Sequence, residues 1–472
     1  MNRIKLMAIC ALAAGAFALA ACGPANNAST PAPGNTAGNQ TADAGNDAGT
    51  DNGNNAGNSG DNTNTNNGNT TENGGDELDA KREAVEKKAW DYLKGMYEQD
   101  DNTLDENQIG VQGSWGPSTK NIPYTAMVLL SAVGTDYLKP DDTMFKDSAN
   151  FLLDSQNADG SWSYAPAFKG MRALYVTSLM VRLCVALNKA DGAWKGKLDD
   201  AIAKGRDYIK QSQVGNGDGP APDYDHNTVG FGGWAYSKEE IGDAVGNKGK
   251  PASNMGTSTF AIDALHACGV GPEDPLFKDA LVFLKRNQNA GELQEEGFKA
   301  MYKGKNIKMA DKGDPNYGGS IYSEETSKPG ARENDDGTVT LLSYGTMTYN
   351  LLRDYLFAGL KKDDLPVKLA WGWIQRNYTV ERVPGYAQEE KYNHGLYYYY
   401  FSMAQTLQAM GVDTIEEPDR GLKHDWRADL VGALEKRQGE NGSWVNHDDE
   451  WQENSPMLCT LYALIALRHT DK

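Results

Sequence analysis

Two kinds of helical segment alternate along the chain between about residue 80 and residue 470. In the first kind, apolar residues recur every three or four positions and leave one polar face. The sequence predicts six such amphipathic helices, on these apolar sets: Val85, Ala89 and Leu93; Phe145, Ala149 and Leu152; Leu198, Ile202 and Ile209; Phe277, Ala280 and Leu284; Val367, Ala370 and Ile374; and Leu430, Ala433 and Leu434.

The second kind of segment is apolar on nearly all sides and is rich in Ala, Thr and Tyr. Because a helix without a polar face belongs in the interior, six half-exposed helices alternating with six buried ones predict two concentric rings. We therefore expect an all-α fold, an α6/α6 toroid over residues 77–472, with a linear solenoid as the competing arrangement. The six buried helices are predicted at residues 123–133, 173–187, 255–268, 345–358, 396–410 and 455–468.

A short loop phrase returns between these helices. Residues 156–162 and 438–444 both fit the pattern Q-x-x-x-G-x-W, and residues 112–115 are a shortened copy. Residues 231–237 and 317–323 match each other around a Gly-Gly core. A repeated unit of this kind indicates stacked copies of one helix–loop–helix element.

The first residues are typical of an export signal. Arg3 and Lys5 precede an apolar stretch that is too short for a comfortable membrane span. The stretch ends in Ala20-Ala21-Cys22, which resembles a bacterial lipobox, so residues 1–21 are predicted to be a lipoprotein signal peptide and Cys22 the lipidation site. An ordinary signal peptide with a chance cysteine is the alternative. The lipid would anchor an exported protein to a membrane, on the periplasmic side or at the cell surface.

Residues 22–76 form a distinct segment of Asn, Gly, Thr, Ala and Asp that lacks aromatic residues, Lys and Arg. Such a composition buries too little apolar area to offset chain entropy, so the segment is predicted to be a disordered linker. The net charge of the chain is −19, which argues against nucleic acid as a partner. The three remaining cysteines, Cys184, Cys268 and Cys459, lie in apolar helical patterns and are expected to be buried free thiols.

The QW-type loops and paired helices resemble the squalene-cyclase and prenyltransferase-β superfamily of α/α toroids over roughly residues 80–470. In that family the loop joins an outer helix to an inner one, and its Gln and Trp brace adjacent repeats. The resemblance therefore implies structural roles for Gln156, Gly160 and Trp162, and likewise for Gln438, Gly442 and Trp444. It also implies a ligand in a central cavity, near the N-terminal ends of the inner helices.

Acid catalysis in triterpene cyclases of this family uses a D-x-D-D motif, which this chain lacks. That chemistry needs a carboxylic acid that its neighbours keep protonated. The nearest phrases are residues 333–337 and 447–450. Asp335 and Asp336 precede an inner helix and are the candidate acids, with a solvated loop as the competing interpretation.

The prenyltransferase branch of the family binds zinc through Asp, Cys and His. Asp263, His266 and Cys268 lie close together in the third buried helix, but Cys268 does not share the face of the other two. We therefore predict no metal site, and the sequence indicates no cofactor.

The most unusual helix start is the run Asn393-His394-Gly395-Leu396, followed by four tyrosines and a phenylalanine. Tyr397, Tyr400 and Phe401 can share a face and give a cavity an amphipathic wall. The alternative is that these rings fill space between the two rings of helices and bond to loop backbones. His394, with Asn393 and a tyrosine, is also a candidate for proton abstraction, as in α/α-toroid polysaccharide lyases.

Two further candidates come from the matched Gly-Gly loops. Glu239 and Glu325 hold equivalent positions in neighbouring repeats, where two carboxylates facing one cavity would suit a glycosidase, and exposed loop positions are the competing interpretation. The insertions at 214–253 and 289–340 fall beside inner-helix starts, where loops often set specificity.

These features predict an exported, lipid-anchored toroid that binds an apolar or amphipathic ligand, or a partner, in a central cavity. One alternative is an isoprenoid-processing enzyme with a divergent acid, although an export address disfavours it. The other is a glycan-binding or polysaccharide-lyase-like toroid, favoured if Tyr397, His394 and the two glutamates line an open polar groove. The sequence does not decide whether the protein is an enzyme.

Overall fold

The computed structural model describes residues 73–98, 114–115, 121–166, 169–217, 219, 224–238, 241, 253–448 and 450–471. The signal peptide, the lipidation site Cys22, most of the linker, residues 112–113 of the shortened loop copy and Glu239 lie outside the described residues. From Leu78 onward the chain forms one compact unit.

About half of the described residues are helical, in twelve α-helices. None of the described helices is both long and apolar enough to cross a membrane. The helices are α1 (Asn73–Gly95), α2 (Ile122–Ala132), α3 (Thr143–Asp154), α4 (Ala173–Lys189), α5 (Asp199–Gln211), α6 (Met255–Ala267), α7 (Pro275–Arg286), α8 (Gly345–Phe357), α9 (Leu365–Asn377), α10 (Leu396–Met410), α11 (Trp426–Arg437) and α12 (Pro456–Arg468).

The even-numbered helices are buried on nearly all sides, as their composition requires. In α12, for example, every residue from Met457 to Leu467 is buried. Side-chain caps fix where several of these helices begin: Asn121 accepts from the Tyr124 backbone N–H at the start of α2, and Asn254 accepts from Thr257 at the start of α6.

The even-numbered helices contact one another in a cycle. Each of α2, α4, α6, α8 and α10 packs against the next even-numbered helix, and α12 packs back against α2. The odd-numbered helices α3, α5, α9 and α11 each pack against an adjacent even-numbered helix. Odd-numbered helices bury a single face, as α7 does with Leu276, Phe277, Ala280, Phe283 and Leu284.

Four short antiparallel hairpins lie between the helices in the described part of the chain. The sequence analysis did not predict them, because strands of two to four residues are too short to show a period-two pattern. The hairpins pair β1 (Tyr97–Glu98) with β2 (Ser114–Trp115), β3 (Met301–Tyr302) with β4 (Lys305–Asn306), β5 (Ala331–Glu333) with β6 (Val339–Leu341), and β7 (Thr414–Glu417) with β8 (Leu422–Asp425).

The first full QW loop ties α3 to the next odd-numbered helix. Gln156 Nε2 donates to the Gly160 carbonyl and to the Ala201 carbonyl of α5, each at 3.0 Å. Trp162 Nε1 donates to the Leu152 carbonyl of α3 at 2.7 Å. Gly160 has φ +88°, and a Cβ there would lie 2.5 Å from the Lys204 carbonyl oxygen, so only glycine lets the loop approach α5 this closely.

The last QW loop makes the same contacts with the first helix of the chain. Gln438 Nε2 donates to the Gly442 carbonyl and to the Val85 carbonyl of α1, each at 2.9 Å. Trp444 Nε1 donates to the Leu434 carbonyl of α11 at 2.8 Å. Gly442 lies against the backbone of Lys88. The loop therefore joins the last pair of helices to α1.

The two Gly-Gly loops form further copies of this brace, and sequence reasoning missed the glutamines that belong to them. Gln213 donates to the Gly232 and Leu276 carbonyls, while Trp234 Nε1 donates to the Ile209 carbonyl. Gln288 makes the equivalent bonds to the Gly318 and Pro366 carbonyls. In both copies an insertion separates the Gln from the Gly-Gly pair, which breaks the spacing, and in the second a serine replaces the Trp. In these two copies, the sequence feature that still indicates the brace is a glutamine at the end of an amphipathic helix.

Candidate functional site

The four tyrosines at the start of α10 point in different directions. Tyr399 donates its hydroxyl to the Thr379 carbonyl at 2.8 Å, and Tyr400 donates to the Val380 carbonyl at 2.5 Å. Tyr400 is fully buried, and its ring packs edge-on against that of the buried Tyr397, so it fills space against a loop. The competing interpretation of the run, bonding to loop backbones, therefore describes Tyr399 and Tyr400.

Tyr398, which the sequence analysis did not single out, faces the interior of the helix cycle together with Phe401. Its ring lies 5.8 Å from that of Phe401 and 5.5 Å from that of Tyr462. Phe260 stacks on Phe401 at 6.1 Å and lies 4.3 Å from Tyr175. We call these five residues, from α4, α6, α10 and α12, the central aromatic cluster.

Burial shapes the chemistry of the central aromatic cluster. It raises the pKa of Tyr175, Tyr398 and Tyr462 above the ordinary tyrosine value, so their hydroxyls stay protonated. The Asn350 amide donates to the Tyr398 hydroxyl at 3.3 Å. Within the cluster, the Tyr175 and Tyr462 hydroxyls are hydrogen-bonded to each other.

A polar cleft of about 770 Å³ lies beside the N-terminus of α10, and we call it the α10 cleft. It brings together His394 and Tyr397, two of the residues that the sequence analysis selected. Its lining consists of Glu381, Glu390, Asn393, His394, Leu396, Tyr397, Arg437, Val445, Asn446, His447 and Asp448.

His394 and Asp448 form a close pair in the α10 cleft. His394 Nε2 lies 2.8 Å from Asp448 Oδ2, and the two side chains are only 16% and 13% exposed. The Tyr386 ring meets the imidazole edge-on, with centroids 5.5 Å apart. A carboxylate this close to Nε2 restrains the imidazole and leaves Nδ1 as the ring nitrogen for a ligand.

The buried Glu453 is hydrogen-bonded to residues that line the α10 cleft. Glu453 accepts from the backbone N–H groups of Tyr397 and Tyr398, at the first turn of α10, and from the Asn446 amide at 2.8 Å. Burial raises the pKa of Glu453 to about 7, although these bonds oppose the rise. Glu453 thus ties the 445–453 loop to the first turn of α10, which follows His394 directly in the sequence.

The cation in the α10 cleft is already paired. Arg437 lies 3.0 Å from Glu381, and its hydrogen bond lowers the pKa of that carboxyl. Glu390 and Asp448 add two further carboxylates to the lining. The cleft therefore offers carboxylates, amides and imidazoles without a surplus of cations.

The candidate acids Asp335 and Asp336 lie in the exposed turn of the β5–β6 hairpin. Asp336 Oδ1 accepts from the backbone and the hydroxyl of Thr338, and these bonds lower the pKa of Asp336. A proton donor to an alkene needs the opposite shift. The solvated-loop interpretation therefore describes this pair, because its carboxylates close a turn in water.

In the second Gly-Gly loop the buried acid is Glu324, the neighbour of the residue that sequence reasoning selected. Glu325 is half-buried, whereas Glu324 is fully buried. Both Glu324 carboxylate oxygens accept from the Gly230 N–H, at 3.1 Å. Burial raises the pKa of Glu324 to about 7.

We expect Glu324→Gln to flatten the dependence of stability on pH. Because the pKa of this acid is raised from 4.5 to about 7 on folding, its contribution is fully present below pH 4.5 and is lost as pH rises toward 7. Between pH 5 and 7.5 the wild type should lose about 2 kcal/mol of unfolding free energy that the variant does not lose. Urea unfolding at both pH values measures the difference. Glu325→Gln is the control, and equal slopes in Glu324→Gln and the wild type would contradict the prediction.

The three residues that were considered as zinc ligands, Asp263, His266 and Cys268, do not converge on one point. Asp263 is held by two arginines, and His266 stacks on Phe357 with centroids 3.9 Å apart. Within the described residues, no group of three or more His, Cys, Asp or Glu side chains is arranged to hold a metal ion. Cys184, Cys268 and Cys459 are free thiols, of which Cys268 is only half-buried.

No protein-family model matches the chain, and no curated protein matches it. Similar solved structures include the type II terpene cyclase MstE from Scytonema, in complex with merosterolic acid A (TM-score 0.46, 11% identity, covering 84% of this chain and 98% of that chain). They also include MstE without ligand (0.44, 11%, 83% and 98%) and a protein from Actinoplanes (0.42, 14%, 82% and 99%). Similarities this distant carry no information about the activity or ligand of this chain.

Proposed function

We propose that this protein is an exported, lipid-anchored, glycan-binding α6/α6 toroid whose binding site is the α10 cleft. The closed cycle of even-numbered helices and the brace from the last QW loop to α1 support six repeats in two rings over residues 77–472. The signal-like N-terminus and the cysteine that follows it support export and attachment to a membrane.

The observation that carries the proposal is the His394–Asp448 pair in an open polar cleft. Sugar hydroxyls both donate and accept hydrogen bonds, so a site for them needs fixed groups of both kinds. The imidazole of His394 and the exposed amide of Asn393, which both line the cleft, supply such groups.

The charge of the α10 cleft favours neutral sugars or amino sugars over uronic acids. Three carboxylates line the cleft, and its one arginine is paired with Glu381. A polyuronate lyase has to neutralise the carboxylate of its substrate, which a like-charged cleft disfavours. We therefore set the lyase-like alternative aside and propose recognition of neutral or basic glycans.

We expect His394→Ala to weaken glycan binding at least tenfold, because it removes the imidazole that lines the α10 cleft. Isothermal titration calorimetry with chito-, cello- and galacturonate oligosaccharides measures the effect. His226→Ala is the matched control, since His226 also lies 3.0 Å from a carboxylate, that of Glu295, but outside the α10 cleft. Binding of galacturonate alone, or unchanged affinity in His394→Ala, would overturn the proposal.

The central aromatic cluster favours a second candidate function, binding or processing of an isoprenoid or another apolar ligand. Tyr398, Phe401 and Phe260 offer an aromatic wall that suits an apolar chain. Native mass spectrometry of the full chain purified from membranes separates the two candidates. A retained saccharide favours the α10 cleft, and a retained isoprenoid that is lost in Tyr398→Ala favours the interior.

A further inference from the structure

A second cavity, of about 320 Å³, lies at the C-terminal ends of α6, α8 and α10, which is the opposite end of α10 from the cleft. Its size is at the lower end of the range for small-molecule sites. We call it the Arg182 cavity. It is lined by Arg182, Asp263, His266, Ala267, Arg353, Phe357, Gln405, Gln408, Ala409 and His469.

Two guanidinium groups share one carboxylate at this cavity. Asp263 pairs with Arg353 through both oxygens, at 2.9 and 3.1 Å, and with Arg182 at 3.2 Å. Arg353 also donates to the Ser402 carbonyl and the Thr406 hydroxyl, so it is fully engaged in the interior. The three side chains leave one positive charge without a local carboxylate.

A nearby aspartate does not balance that charge. Burial raises the pKa of Asp354 well above its usual value, against the opposing effect of Arg353 and with the support of the Asp263 charge. Burial therefore disfavours the charged form of Asp354. Its Oδ2 lies 2.7 Å from the Thr259 hydroxyl, away from the lining of the cavity.

Arg182 is the cation that faces the cavity. Its side chain is 15% exposed, against 2% for Arg353. Its hydrogen bonds to Asp263 and to Gln405, the latter at 2.7 Å, occupy two of the five guanidinium donors. The remaining donors can serve an anion that enters the cavity, and such hydrogen bonds are strong because both partners are charged.

The remaining walls suit an apolar body. Ala267, Phe357 and Ala409 line the cavity, and the Phe357 ring is held in place by its stack on His266. Burial and the neighbouring arginines lower the pKa of His469 to about 3, so its imidazole stays neutral at physiological pH. The cavity thus combines one exposed cation with mainly uncharged walls.

We propose that the Arg182 cavity binds a small carboxylate whose anionic group is held by Arg182 and whose apolar body lies against Phe357 and Ala409. The site is separate from the α10 cleft, and it does not depend on the function proposed there.

The test is ¹⁹F NMR of 4-fluorobenzoate titrated with the full chain. We expect saturable binding that weakens at least tenfold in Arg182→Gln, while Arg420→Gln, at an exposed arginine, leaves it unchanged. Ala409→Leu fills the cavity without altering its charges, so it should abolish binding even if Arg182→Gln proves poorly folded.

Neutral and inorganic probes decide which part of the proposal holds. The neutral 4-fluorobenzamide should bind at least tenfold more weakly than the carboxylate, and inorganic phosphate should not compete. Equal binding of the amide would overturn recognition of the charge, and full competition by phosphate would overturn the apolar contact. Absence of saturable binding, or equal affinity in Ala409→Leu, would overturn the site itself.

Discussion

Replacing Asp263 by Asn should lower the free energy of unfolding by about 3–5 kcal/mol, the usual cost of breaking a buried ion pair from one side. The carboxylate accepts from Arg182 and Arg353, which are side chains of α4 and α8. Although burial opposes the charge of Arg353, the Asp263 carboxylate raises its pKa above the usual value. Without that carboxylate, two guanidinium groups remain near one another in the interior.

Asp354→Asn is the matched control for this prediction. Asp354 is as deeply buried as Asp263, but burial raises its pKa and favours the neutral acid, which an amide closely resembles in size and hydrogen bonding. We therefore expect a loss below about 1 kcal/mol. Urea unfolding of both variants at pH 7 measures the contrast. Similar losses in the two would mean that Asp354 is ionised as well, and that the charge balance derived for the Arg182 cavity is wrong.

The helices of this protein were predictable because packing and sequence composition agree. The buried helices predicted at 173–187 and 396–410 are found at Ala173–Lys189 and Leu396–Met410. Their residues are apolar on nearly every side, which favours burial. The braces at Gln213 and Gln288 escaped notice because insertions between Gln and Gly hide the spacing, although the hydrogen bonds are the same as at Gln156.

Only the part of the candidate site that lies at a single helix start was predictable from the sequence. His394 and Tyr397 lie within four residues, the first just before α10 and the second in its first turn, so one helix start brings both to the cleft. Asp448 comes from the loop before α12, and nothing in the sequence pairs it with His394. Tyr398 was missed because, in a run of four tyrosines, the direction of each ring depends on the rotation of the helix, which packing decides.

Both buried glutamates show how local sequence misleads about burial. Glu324 and Glu325 are adjacent, and the repeat alignment selected Glu325 because it matches Glu239. The structure buries Glu324 instead, where it holds Gly230 of the preceding loop. Glu453 stands in a polar stretch that resembles a surface loop, yet the first turn of α10 provides it with two N–H donors. An acidic side chain can accept from the free N–H groups of a helix N-terminus only when the tertiary fold places it beside them.

Gly442→Ala should loosen the junction between the last and the first helices and lower the free energy of unfolding by about 2–4 kcal/mol. Gly442 has φ +87°, a backbone conformation that alanine adopts only under strain, and a Cβ would lie 2.2 Å from the Lys88 carbonyl oxygen of α1. Because that oxygen belongs to the backbone, α1 itself has to move away, and the bond from Gln438 to Val85 lengthens with it.

Two other glycines separate this effect from a general effect of alanine. Gly432 lies within α11 with nothing near its would-be Cβ, so Gly432→Ala should raise stability by about 0.5–1 kcal/mol. Gly160→Ala repeats the strain of Gly442→Ala, but against Lys204 of α5. Hydrogen exchange should therefore show lost protection in α1 for Gly442→Ala and in α5 for Gly160→Ala. If α1 kept its protection in Gly442→Ala, the last loop would not hold the first helix, and the case for a closed ring would rest on the contact between α12 and α2 alone.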